Sequence, residues 1–183
     1  KFMYQSALVT SFPSELPVEE QIKSTTIINK SSEYSTYFIN DYSSGLRHQK
    51  LVSIANPISM NDIPEEYIES PIILICPVFN ELSLDFANSF EKNKVVCTIQ
   101  GWMREINSQG EISTIGQLPS VDLSQVDIIV FSKEDIPQQY WDYFINQVPI
   151  VCVTDGEKGC LIYHEKDWFR QESIKCDTKD TTG

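Results

Sequence analysis

Four short runs of apolar residues punctuate the second half of the chain: residues 71–78 (Pro-Ile-Ile-Leu-Ile-Cys-Pro-Val), 94–99 (Lys-Val-Val-Cys-Thr-Ile), 126–131 (Val-Asp-Ile-Ile-Val-Phe) and 149–153 (Pro-Ile-Val-Cys-Val). Runs of this length without polar alternation predict strands covered on both faces, as in a parallel sheet. Residues 82–92 and 136–147 lie between such runs and space their apolar side chains as helices do. Leu84, Phe86, Ala87 and Phe90 mark the first, and Tyr140, Trp141 and Phe144 the second. Buried strands alternating with helices predict an α/β fold, a doubly wound, mainly parallel sheet.

The first third is patterned differently. Residues 6–12 read as a core strand, the prolines of 13–17 as a turn, and 18–23 as a short acidic helix. Residues 25–29, 35–42 and 47–54 are β-type runs, with Ser43-Ser44-Gly45 as the clearest turn between them. The second and third of these runs alternate apolar with polar residues, which predicts a small antiparallel meander with one wet face. The expected division is therefore an α/β core over 1–24 and 55–183, with a β-sheet unit at 25–54. Residues 60–69, with Pro64 near the start, read as a short helix or turn.

The 183 residues are enough for one domain with a core that needs no disulfide. A formal net charge of −12 argues against a general binder of nucleic acid or anionic membrane, because phosphate attraction needs a basic surface. It leaves room for ATP, which needs only a local nest of donors. The five cysteines sit mostly in apolar runs, odd in number and without Cys-x-x-Cys spacing. They read as buried thiols of a reducing, cytoplasmic compartment.

Ligands of open parallel sheets bind beyond the carboxyl ends of the strands. Asn80 and Glu81 follow the first apolar run, Gln100, Gly101 and Arg104 the second, and Ser132 to Asp135 the third. The fourth ends in Thr154-x-Gly156-x-x-Gly159, a turn whose small residues leave backbone N–H groups open to an anion. Taken alone, that motif is better explained as an ordinary hairpin turn, and Ser132 with Asp135 also fits a helix-capping pair. A strand, residues 159–164, comes next, and the chain closes on Asp180-Thr-Thr-Gly183.

Thr154-x-Gly156-x-x-Gly159 followed by Asp180-Thr181-Thr182-Gly183 resembles the PfkB/ribokinase family of sugar, polyol and nucleoside kinases. The resemblance implies ATP and Mg²⁺ as cofactors, with K⁺ as a monovalent cation near Asp180. It places Thr154, Gly156 and Gly159 at the nucleotide phosphates, and Thr182 and Gly183 at the anion hole. Ser132 and Asp135 stand where the family has Asn-x-x-Glu, with Asp135 near the metal. Gln100, Gly101, Arg104 and Glu81 fall on the acceptor side. The 25–54 sheet corresponds to the family's lid, through which two copies can pair.

The family motif continues Ala-Gly-Asp, whose Asp is the catalytic base, and an N-terminal strand with a Gly-Gly segment precedes the part matched here. The chain is thus expected to be cut at both ends and inactive as given, while its parent transfers phosphate from ATP to an alcohol. Two alternatives stay open. One is a non-catalytic, PfkB-like binding or regulatory protein. The other is an unrelated doubly wound domain whose Thr-Gly motifs are coincidental turns.

Overall fold

The computed structural model of the chain describes residues 5–18, 22, 24–44, 48–115 and 120–175. In chain order its strands are β1 (Ser6–Phe12), β2 (Thr25–Ser31), β3 (Tyr37–Asp41), β4 (His48–Ser53), β5 (Ile72–Ile75) and β6 (Lys94–Thr98). There follow β7 (Arg104–Ile106), β8 (Ile112–Thr114), β9 (Ile128–Ser132), β10 (Ile150–Thr154), β11 (Cys160–His164) and β12 (Asp167–Gln171). The four apolar runs become β5, β6, β9 and β10. These are mutually parallel and form one sheet in the order β12-β11-β10-β9-β6-β5, in which β11 pairs antiparallel with both β10 and β12.

One face of this sheet carries the core. Val95, Cys97, Ile129, Phe131, Val151 and Val153 point into it, beneath Phe86, Phe90, Trp102, Ile136, Trp141 and Phe144. Phe131 lies 5.4 Å from Phe144 between ring centroids, and Phe86 lies 5.6 Å from Phe90. The other face holds the alternate residues of the same strands, among them Val96, Ile128, Val130, Ile150 and Cys152, all half-buried. At its rim Ile72 and Leu74 are each 65% exposed and Phe169 is 53% exposed. Cover on both faces, expected for residues 71–78, is therefore met on one face only. β5 is an edge strand in this chain, and its free edge borders an apolar cleft of about 880 Å³ shared with β1.

The helices are shorter than their sequence spacing suggests. Residues 82–92 form a 3₁₀ segment, Leu84–Ser89, because Asp85, Asn88 and Ser89 are poor formers of a helix interior. Residues 136–147 form a 3₁₀ turn, Gln138–Tyr140, then an α-helix, Trp141–Ile145. Pro149 allows little continuation beyond it. Residues 60–69 hold a 3₁₀ turn, Met60–Asp62, and a short α-helix, Glu65–Ile68. The helix expected at 18–23 falls largely on residues outside those described, as does Gly45.

Of the β-type runs within 25–54, the second and third pair antiparallel as expected, but the first does not join them. β2 pairs in parallel with β1, and only β3 and β4 form an antiparallel pair. Asn29 explains the choice, since its side chain both accepts from Phe12 N and donates to Phe12 O, each at 3.0 Å. Lys30 Nζ adds an ion pair to Asp62 at 2.8 Å. A second hairpin, β7–β8, meets β4 instead: Leu51 N donates to Gly110 O at 2.9 Å, and Lys50 bridges to Glu111. Of the four described cysteines, all of them free thiols, Cys97 is buried, Cys152 and Cys160 are half-buried and Cys76 is exposed, against the expectation of burial throughout. Burial pushes the Cys97 thiol up to about 12.

Candidate functional site

Because β5, β6, β9 and β10 run parallel, their carboxyl ends share one edge. That edge collects Glu81, Gln100 to Arg104, Ser132 to Asp135 and Thr154 to Gly159. Neighbouring segments touch directly. Gln100 Nε2 donates to Asp135 Oδ2 at 2.9 Å, joining the loop after β6 to the loop after β9. β9 and β10 end in register, Ser132 opposite Thr154, and Lys133 N donates to Thr154 O at 2.9 Å.

At the end of β9, Ser132 Oγ accepts from Glu134 N at 3.2 Å, and Ser132 O accepts from the N–H groups of Asp135 and Ile136. This is a tight turn, and the next helical segment begins only at Gln138. The Asp135 carboxylate meets the Gln100 amide, and neither Ser132 nor Asp135 caps the segment at Gln138, whose N-cap is Pro137. Lys133, which the sequence did not single out, sends its ammonium to Asp155 Oδ2 at 3.2 Å and so spans the mouth between β9 and β10. A lone lysine carries no sequence signature, and only the register of the two strands reveals it.

The turn after β10 is built on two glycines with left-handed backbones, φ 52° at Gly156 and 86° at Gly159. Asp155 N donates to Gly159 O at 2.8 Å and closes the turn. The surroundings of the glycines differ. A Cβ on Gly159 would collide with Gln171 O and Ser173 N, whereas one on Gly156 would meet nothing within 4 Å. Open space over backbone in a turn is the geometry in which a phosphate oxygen can approach main-chain N–H groups. Thr154 Oγ1 donates to Phe131 O at 3.4 Å, a long bond that a better acceptor can replace.

On the other flank, Glu81 accepts from Val78 N at 2.5 Å and Phe79 N at 2.6 Å, which closes the loop after β5. Gly101 is buried against that loop, where a Cβ would strike Pro77 O. Arg104 fills its fork with three elements: Nη1 donates to Val78 O at 2.9 Å, Nη2 donates to Gln49 Oε1 at 3.4 Å, and the guanidinium lies 5.1 Å from the Phe38 ring centroid. Phe38 and Gln49 belong to the β3–β4 sheet, and the sequence did not mark them. The turn Asn107-Ser-Gln-Gly110 between two short β-type stretches would have disclosed the β7–β8 hairpin.

Asp180, Thr182 and Gly183 lie outside the described residues. Among those described, no group of three or more His, Cys, Asp or Glu comes together to hold a metal. A magnesium ion carried by donor phosphates needs only one or two carboxylates, and Asp135 is a carboxylate at this edge. No described helix is long and apolar enough to cross a membrane.

No family model matches the sequence, and no curated protein matches it. Solved structures do match. A pyrophosphate-dependent kinase of the ribokinase family, in a sulfate complex, superposes with a TM-score of 0.76 at 13% identity, over 95% of this chain and 67% of that one. Ribokinase from Thermotoga maritima gives 0.65 at 18% identity, over 96% and 62%. Arabidopsis thaliana ribokinase, complexed with ribose and ATP, gives 0.61 at 17% identity, over 98% and 65%. The chain thus spans about two thirds of the length of these structures. At such identities the likeness concerns the fold, and the chain has the ribokinase-like α/β fold with small antiparallel sheets.

Proposed function

We propose that this chain carries donor and acceptor sites of a phosphotransferase that moves a phosphoryl group from ATP to a hydroxyl of a sugar, polyol or nucleoside. The observation that carries the reading is the convergence, at one edge of a ribokinase-like sheet, of the Thr154–Gly159 turn with Asp135 and Arg104. The open backbone at Gly156, with Thr154 and Gly159, would take the donor phosphates, and Ser132 would border them. Asp135 would orient the water shell of Mg²⁺, which when bound neutralises phosphate charge.

Glu81, Gln100, Gly101 and Arg104 would line the acceptor side, under a lid made of β3 and β4. Thr182 and Gly183 would open the anion hole, and Asp180 would border K⁺. In the transfer the acceptor oxygen forms a bond to phosphorus, the donor's bridging P–O bond breaks, and the hydroxyl proton goes to a base. Pairing of two copies through the lid belongs to the same reading, as does a cytoplasmic location.

Two observations favour alternatives. The pyrophosphate dependence of one structural neighbour, and the Lys133 ammonium at the mouth, make pyrophosphate a rival donor. Ser132 and Asp135, in place of the family's Asn and Glu, suit a non-catalytic binder. The test is phosphoryl transfer by the full-length protein from Mg·ATP or Mg·pyrophosphate, with K⁺, to a panel of sugars, polyols and nucleosides. Turnover of one acceptor supports the kinase. Donor binding without turnover supports the non-catalytic alternative, and no donor binding sinks the family reading.

A further inference from the structure

The β7–β8 hairpin joins the two flanks of the site through one residue pair. Arg104 and Thr114 are register partners at its root. Arg104 holds the β3–β4 sheet through Phe38 and Gln49, while Thr114 Oγ1 donates to Asp135 O at 3.2 Å. Four residues before Arg104, Gln100 grips the Asp135 carboxylate. Asp135 is thus held at both its main chain and its side chain by one stretch of polypeptide. The far end of that stretch holds the small sheet.

This stretch is built to move as a unit. Gly101, Trp102 and Met103 are buried, and Gly101 leaves no room for a Cβ against Pro77 O. Trp102 Nε1 donates to Leu82 O at 2.8 Å, and Ile115 N to Met103 O at 2.9 Å. At its tip the hairpin touches β4 again through Gly110 O and Glu111. Close-packed elements with matched hydrogen bonds shift together, because a small displacement at one end is not absorbed along the way.

We propose that the hairpin is a strut coupling the donor side to the β3–β4 sheet, with Thr114 and Gln49 as positioning residues. Donor binding beside Asp135 then orders β3 and β4, and by linkage an acceptor held under that sheet tightens donor binding by the same factor. The proposal rests on the assignment of donor and acceptor flanks given above. Neither Thr114 nor Gln49 touches the donor in this arrangement. Their effect is on communication between the flanks and not on the chemistry.

The test is amide hydrogen exchange of the full-length protein with and without saturating Mg·ATP, and separately Mg·pyrophosphate, with donor affinity measured in parallel. The expected result is exchange slowed about five-fold or more in Tyr37–Asp41 and His48–Ser53, a coupling of ordinary allosteric size. Thr114→Val and Gln49→Leu are expected to abolish that remote protection while changing donor Kd less than about three-fold, within experimental spread of uncoupled sites. Thr114→Ser, which keeps the hydroxyl, restores it. Persistence of protection in Thr114→Val overturns the strut, as does donor binding without remote protection in the unmodified protein. If neither donor binds, the donor assignment fails together with the strut, and the affinity measurement tells the two failures apart.

Discussion

Gln100 and Asp135 meet at 2.9 Å across the ends of β6 and β9, amide to carboxylate. A carboxylate oriented in this way at the donor edge is the group assigned above to the water shell of Mg²⁺. Asp135→Asn is therefore expected to weaken Mg²⁺-dependent donor binding on the order of ten-fold or more, the usual loss when an outer ligand of a metal is altered. Calorimetric titration of donor with and without Mg²⁺ checks this. Equal weakening in both conditions would remove Asp135 from the metal.

Gly156 and Gly159 share a turn but predict opposite phenotypes. Gly159→Ala forces a methyl into Gln171 O at φ 86°, so the β10–β11 turn must rearrange. Its expected cost is about 1–3 kcal/mol for overpacking, plus roughly 1–2 kcal/mol for left-handed strain. Gly156→Ala has only the strain to bear, since its Cβ enters open space. It should melt close to the unmodified protein yet bind donor more weakly. A normal donor affinity in Gly156→Ala would place the phosphates elsewhere.

Gly101→Ala tests the rigidity of the stretch before Arg104. Its methyl meets backbone at Pro77 and cannot be relieved by a side-chain shift. A loss of about 1–3 kcal/mol is expected. For a chain of this size that lowers the melting temperature by roughly 2–4 °C per kcal/mol. Thermal unfolding followed by circular dichroism measures it, and an unchanged midpoint contradicts the packing described.

Asp62 makes the fold acid-sensitive in a defined window. Lys30 chiefly, then Ser59, hold its carboxyl down to about 2, from an ordinary value of 3.8. The folded pKa is depressed, so the stabilisation is complete above the unfolded value and disappears as pH falls from about 4 to about 2. The side chain is 22% exposed, and solvent screening trims the effect to roughly 1–2 kcal/mol. Asp62→Asn should flatten stability against pH in that interval, as read from urea unfolding at stepped pH. A slope identical to that of the unmodified protein would show that another group dominates.

The second face of the main sheet predicts self-association of the 183-residue chain. Ile72 and Leu74 stand 65% exposed beside half-buried Val96, Ile128 and Ile150, a contiguous apolar surface of the kind that mediates contacts. Sedimentation at rising concentration should show association that Ile72→Thr with Leu74→Thr reduces. A monomer unaffected by either change would show that the face is too small to matter.

The four apolar runs were legible as strands because each is a short stretch of nearly uninterrupted apolar residues bounded by turn residues, and their carboxyl ends identified the candidate edge. Gly156 and Gly159 were legible because left-handed turns favour glycine. The partner of residues 25–31 was not: local alternation suits either neighbour, and the choice fell to Asn29 reaching the backbone of Phe12. The β7–β8 hairpin was missed because its strands are three residues each, too short for periodicity to register.

Sequence by itself determined the class of fold and which residues stand at the strand ends, since apolar runs mark buried strands and small or polar residues mark where they stop. Tertiary structure alone decided which of those ends touch. Gln100 meets Asp135 across 35 positions, Lys133 meets Asp155 across 22, and Arg104 reaches Gln49 across 55. Such polar pairs leave no periodic trace in the chain. Their partners are chosen by strand order and register, which the packing of the whole sheet sets.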